Sequence, residues 1–331
     1  MRVLLRPRRP LLVLLLLAPS IPELLTGSTP ITRLFVDPIG FAVGFAFEIG
    51  LYGCGALVVR ELAVTLRRGF PSILLWGAAY GIAEEGLAVH TFFERSGPPV
   101  GALTTYGSAY GVNWLWALGL TVFHATYSIA LPILLVHLAY PEARGRRWTD
   151  RGALALVLAV YLATVAVFAS LVGYGPNLWQ LALFVALAGT LVALGAVTPA
   201  DLLRRRGSRP GWGGWGLGFA GALSWCGWLF VLAVSGRALV PAAAAAAVVV
   251  LTDAAAVAVV ILRVRTDAVE PSAFAFAVGM LVPLFLFDIA LEPSVPGILG
   301  VSALAAYLLY RLGRRIERRS SATAIAAARP G

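Results

Sequence analysis

The sequence predicts an all-α protein, a polytopic transmembrane helix bundle of about ten spans (eight to ten) with both termini in the cytoplasm. Three observations lead there. The 331 residues are 60% hydrophobic and 13% charged, and the mean hydropathy of +0.86 is too high for a chain kept in solution by its surface. The charges gather in short clusters between apolar runs of about 20 residues, the length of a membrane crossing. Those clusters alternate between rich and poor in Arg. The net charge of +10, from 26 basic and 16 acidic residues, would suggest nucleic acid in a soluble protein. Here it follows the positive-inside layout, so the expected partner is the lipid bilayer and no nucleic acid. Every Lys/Arg-type cation is Arg, a bias of a GC-rich genome that also suits lipid phosphates.

Spans are expected near 10–26, 38–59, 71–93, 113–139, 153–173, 178–198, 215–235, 240–262, 272–292 and 296–311. Arg2, Arg6, Arg8 and Arg9 precede the first. Even-numbered exits carry Arg60, Arg67 and Arg68; Arg144, Arg146, Arg147 and Arg151; Arg204, Arg205, Arg206 and Arg209; Arg263 and Arg265; and the run from Arg311 to Arg319. Odd exits carry only Arg33, Arg95 and Arg237. That alternation predicts a place in a cell membrane, expected to be a bacterial plasma membrane, with an even number of crossings. The first segment also resembles a signal peptide, but Pro19, Pro22 and Glu23 stand where a cleavage site is needed, so a retained helix with a kinked, partly exposed end is expected. Glu292-Pro-Ser-Val-Pro separates the last two segments, which alternatively form a re-entrant pair.

Three regions differ in character: 1–140, whose helices carry Glu, His, Asn, Trp and Tyr; 141–316, mainly Ala, Leu and Val; and 317–331, a basic tail expected to be disordered. No internal repeat is evident, which gives no support to an inverted-repeat transporter. The loop at 94–112 is a lid or, more simply, a connector. Cys54 and Cys226 lie in apolar runs as buried thiols and make neither a disulfide framework nor a zinc site. Without a phosphate-binding loop, dinucleotide fingerprint or haem signature, no cofactor is expected.

Ionisable side chains at membrane depth are costly and mark function by default. Glu48, the adjacent Glu84 and Glu85, and His124 lie on three successive spans, roughly 13–17 Å from their outer ends at 1.5 Å per residue. Two or three carboxylates and an imidazole therefore share one level. Gly77 and Gly81 form a small-xxx-small pair that admits a neighbouring helix, and Glu85 continues their stripe. Ser128 lies one turn below His124 on the same face. A Glu acting as base beside a His that donates a proton or holds an oxyanion is suited to activating water against a carbonyl. Glu84, Glu85, His124, Glu48 and Ser128 are thus the candidate catalytic residues, with no metal expected. The same groups also make a proton relay for a transporter, or a hydrogen-bonded network in a non-catalytic scaffold or lipid-binding protein whose Arg-rich loops meet anionic lipid.

The Ala-Glu84-Glu85 helix followed by the Phe123-His124 helix resembles the CPBP intramembrane proteases, which include CAAX prenyl endopeptidases and bacteriocin-processing proteins. That family carries Glu-Glu-x-x-x-Arg, Phe-x-x-x-His and His-x-x-x-Asn motifs on separate helices. The resemblance, confined to about residues 70–140, implies peptide-bond hydrolysis within the membrane, with a peptide or membrane protein as substrate. Glu84 and Glu85 match the Glu pair and His124 one His, whereas Val89, Leu120 and Ser128 stand at the Arg, Phe and Asn positions.

The other polar residues have plainer expectations. Arg60-Glu61 reads as an exposed ion pair; His90 and His137 as interfacial; His90 with Glu94 as too few ligands for a metal. Asn113, Trp114 and Trp116 read as an interfacial anchor. Asp253 either joins the Glu cluster or is satisfied by Thr252 and backbone. Asp288 and Glu292 are expected to be solvated at the outer surface.

Overall fold

The computed structural model describes residues 8–93, 105–202, 211–235, 240–263 and 269–327. Its long helices are α1 (Arg8–Pro19, continued by a π turn at Ser20–Leu24), α2 (Pro38–Thr65), α3 (Phe70–Ile82, continued by a π turn at Ala83–Ala88), α4 (Trp114–Ala139), α5 (Arg151–Leu171), α6 (Leu178–Val197), α7 (Gly214–Ser235), α8 (Ala242–Arg263), α9 (Val269–Leu291) and α10 (Ile298–Ala327). Helix thus occurs at each expected position, but among the described residues only 7 helices are long and apolar enough to cross a membrane. Helices α1, α3 and α10 are the shortfall. The first opens on Arg8 and Arg9 and is short, passing at Ser20 into a proline-containing π turn that ends at Leu24. The Glu pair lowers the hydropathy of α3, which ends before a turn where His90 takes φ +59°. In α10 the apolar stretch is cut short by Arg311, and the helix continues through Ala327, across the segment expected to be a disordered tail.

Local signals explain the boundaries. Asp37, Asn113 and Asp150 each accept a hydrogen bond from the backbone three residues on, capping α2, α4 and α5. Asn177 and Gln180 cap each other's backbone at the start of α6. Of the loop at 94–112, residues 94–104 lie outside the described residues. The rest includes β1 (Ser108–Ala109) and β2 (Val112–Asn113), an antiparallel pair.

One buried cluster is built mainly by the first half. Leu14, Leu51, Leu57, Trp76, Tyr80, Ile129 and Ile133 from α1 to α4 bury one another. The most apolar window of α4 is 67% buried and that of α5 only 6%, so α5 presents its side chains outward, as a lipid-facing helix does. The glycine pair of α3 behaves as its spacing predicts: a Cβ on Gly77 would lie 2.9 Å from the Ala125 Cα, and one on Gly81 3.0 Å from the His124 Cβ.

Several expectations are corrected. Arg60 and Glu61 are fully buried and pair with each other. Arg60 Nη2 donates to the carbonyls of Ala143 and Arg144, both at 2.9 Å, and its guanidinium lies 3.7 Å above the Trp148 ring. Glu61 accepts from Trp148 N, Thr149 N and Thr149 Oγ1. Sequence alone cannot show that the loop after α4 folds back over this helix end. Asp288 is buried and accepts from Ser302 Oγ rather than facing water. Glu292, expected at the outer surface, is not buried, and it accepts from Gly297 N and Leu299 N, both at 2.9 Å, at the start of α10. His90 and His137 are buried too, the former 2.8 Å from the Tyr174 carbonyl through Nδ1. Cys226 is exposed, unlike Cys54, and both are free.

Candidate functional site

Four π turns, Ser20–Leu24, Ile49–Gly53, Ala83–Ala88 and His124–Ala130, interrupt the first four helices. Such turns add a residue to the helical repeat, swing side chains out of register and are frequent at functional sites. Here they carry Glu23, Tyr52, the pair Glu84 and Glu85, and His124 with Ser128. The close approach at Gly77 and Gly81 brings the last two turns side by side.

His124 is the centre. Its Nε2 lies 2.9 Å from Glu85 Oε1 and its Nδ1 2.9 Å from Ser128 Oγ. Glu84 Oε2 is 3.0 Å from Nδ1, yet it has no hydrogen bond. The hydrogen bond at Nδ1 is thus with Ser128, and Glu84 lies at ion-pair distance from the same nitrogen. All four residues are buried. Glu85 is the more accessible carboxylate, with 11% of its side chain exposed against 2% for Glu84. Its second oxygen accepts from Thr91 Oγ1. The Tyr52 ring stacks against the imidazole at 6.0 Å and Tyr80 meets it edge-on at 6.2 Å, which leaves the ring little freedom to turn.

Glu48 does not touch the imidazole. It reaches the cluster through Thr29, whose hydroxyl is 2.6 Å from Glu48 Oε1 and 3.1 Å from Glu23 Oε2. Glu23 Oε1 in turn accepts from Tyr52 Oη at 2.6 Å. One hydroxyl proton serves one carboxylate at a time, so a proton held by the Glu23–Glu48 pair is what allows both Thr29 contacts to be hydrogen bonds. Glu23 thus belongs to the cluster instead of forming an exposed helix end. A carboxylate within a membrane segment was the available signal for it. Tyr52, Tyr80, Thr29 and Thr91 carry no such signal, because hydroxyl residues are common in helices of every kind.

Glu84, Glu85 and His124 offer ligand atoms all within 4.8 Å of one another, a spacing that could hold a metal ion. For the imidazole to bind one, a ring nitrogen would have to leave Ser128 or Glu85. Asp253 is half-buried on α8 and is not part of that group. Glu94, the proposed partner of His90, lies outside the described residues.

No curated protein and no solved structure matches the chain. The seven apolar helices and a match to a family model agree on a membrane location. That match runs over residues 12–326, nearly the whole chain, and by it the protein belongs to an uncharacterized membrane protein family.

Proposed function

We propose that the protein is a CPBP-like intramembrane hydrolase of the bacterial plasma membrane, with both termini in the cytoplasm, that cleaves a peptide bond in a membrane-embedded substrate. The observation that carries this reading is the His124 ring held by Glu85 at one nitrogen and by Ser128 and Glu84 at the other. A base must lie within hydrogen-bond reach of the proton it takes, and a carboxylate oriented by an imidazole meets that condition. Glu85, the more accessible of the pair, draws the proton from water. His124 receives it and delivers it to the leaving amine. The attacking oxygen forms the new bond to the carbonyl carbon, and collapse of the tetrahedral intermediate breaks the C–N bond. Glu84 supplies negative charge that stabilises the imidazolium in between.

Comparison of membrane proteomes from cells carrying wild-type or Glu85→Gln protein tests this. New C-termini within membrane segments are expected only with the wild type, since losing a general base lowers the rate by about 10²- to 10⁴-fold. His124→Gln should behave likewise, with both variants expressed and folded. If the same cleavages persist without Glu85 and His124, or none depends on them, the hydrolase reading fails.

The hydrogen-bonded series Glu48–Thr29–Glu23–Tyr52 favours one second reading, a proton relay. It predicts proton flux in vesicles that Glu23→Gln abolishes.

A further inference from the structure

On the side of α1 away from the Glu/His cluster, an apolar groove of about 590 Å³ lies between α1, α4, α9 and α10. Along most of its length the walls are aliphatic, Leu17 and Ile21 from α1, Leu135 from α4, and Leu304 and Leu308 from α10. Its character changes at one end. There α10 contributes Tyr307, Arg311 and Arg315, spaced one turn apart on one face. Arg311 Nη1 donates to the Tyr307 hydroxyl at 2.6 Å and its guanidinium lies 5.7 Å from that ring, contacts within the same helix that involve no carboxylate. Arg315 has no ion-pair partner among the described residues. The groove thus combines a long apolar wall with two cationic groups at a single end.

The dimensions fit a lipid of one leaflet. From Leu304 to Arg315 the helix rises roughly 16 Å, close to half of a hydrocarbon core about 30 Å thick. Val13, near the basic N-terminal end of α1, and Tyr140, at the end of α4, line the groove too. Arg and Tyr are the side chains expected at the level of lipid headgroups.

We propose that this groove is a binding site for one anionic phospholipid, with an acyl chain along α1 and α10 and the headgroup phosphate held by Arg311 and Arg315. Guanidinium binds phosphate oxygens in bidentate fashion, and two on one helix face hold such a headgroup more tightly than a zwitterionic one. The aliphatic wall accepts either chain equally, so the preference resides in the two arginines. The site is separate from the Glu/His cluster and stands whether or not the protein is a hydrolase.

The test is native mass spectrometry of the full-length protein in detergent, titrated with phosphatidylglycerol and phosphatidylcholine of identical acyl chains. One phosphatidylglycerol per chain should be retained with roughly thirty-fold preference, from the attraction of two arginines to an anionic surface. The preference should fall towards unity in Arg311→Gln/Arg315→Gln. Leu304→Trp, which fills the groove, should weaken retention of both lipids. Should the double variant fail to fold, wild-type protein still decides the matter, because a preference of this origin declines as salt rises. Equal retention of the two lipids, a preference insensitive to salt or to loss of both arginines, or a dimer whose second copy covers the groove and excludes lipid would overturn the proposal.

Discussion

The contact between α3 and α4 allows a quantitative test because Gly77 and Gly44, each in a Gly-xxx-Gly spacing, lie in opposite surroundings. A Cβ on Gly77 would meet Ala125 Cα at 2.9 Å, Ala125 O at 3.0 Å and Ile129 Cβ at 3.2 Å, whereas one on Gly44 would meet nothing within 4 Å. Nonbonded carbons settle at about 3.5–4.0 Å. In Gly77→Ala the obstruction is backbone, which cannot rotate aside, so α4 must recede by roughly 0.6–1 Å. Overpacking of that size costs about 1–3 kcal/mol, while the gain in helix propensity from Gly to Ala, about 1 kcal/mol, is common to both sites. Gly44→Ala should therefore match or exceed wild-type stability, and Gly77→Ala should lie about 1–3 kcal/mol below Gly44→Ala. Reversible unfolding of the purified protein in mixed detergent micelles, followed by circular dichroism, measures the difference. Equal midpoints for the two variants would refute the close approach of α3 and α4, and with it the placement of His124 between the two Glu carboxylates.

Two further outcomes follow from buried and capping carboxylates. Glu61→Ala leaves Arg60 as an uncompensated buried cation and removes the acceptor for Trp148 N, Thr149 N and Thr149 Oγ1; breaking such a pair should cost about 3–5 kcal/mol, and a loss under about 1 kcal/mol, as for an exposed pair, would contradict the burial. Glu292, beyond the end of α9, is held below its ordinary value of 4.5 by hydrogen bonds from Gly297 N and Leu299 N. A lowered folded-state value means its contribution is complete above 4.5 and disappears as pH falls through the lower folded value. The stability gap between wild type and Glu292→Gln should thus be constant near neutral pH and close under acid, and a gap that widens on acidification would reverse the assignment.

Much of the site was legible from residue spacing. Glu84, Glu85 and His124 were picked out because charge in an apolar segment is expensive, and similar distances from the helix ends put them at one depth. The glycines at 77 and 81 identified the packed face, and the His124-x-x-x-Ser128 spacing gave that contact directly. Glu48 was at the right depth on a neighbouring helix, but depth says nothing of azimuth. A π turn between Ile49 and Gly53 resets the register, and Tyr52 presents its ring to the imidazole there instead. In the sequence, Pro19, Pro22 and Glu23 read as a kinked, partly exposed helix end. Those same prolines bring a π turn that points it inward.

By itself the sequence determined the membrane as solvent, the helical content and the level of the acidic cluster. Each follows from free energies that depend on composition and chain position alone: apolar transfer, backbone hydrogen bonding within one segment, and rise per residue. Only the tertiary structure decided which groups meet. The Arg60–Glu61 pair is buried because a loop some eighty residues later closes over it, and Glu48 is joined to Tyr52 by hydrogen bonds through Thr29 and Glu23. Such contacts depend on helix rotation and on the return path of the chain, and local periodicity constrains neither.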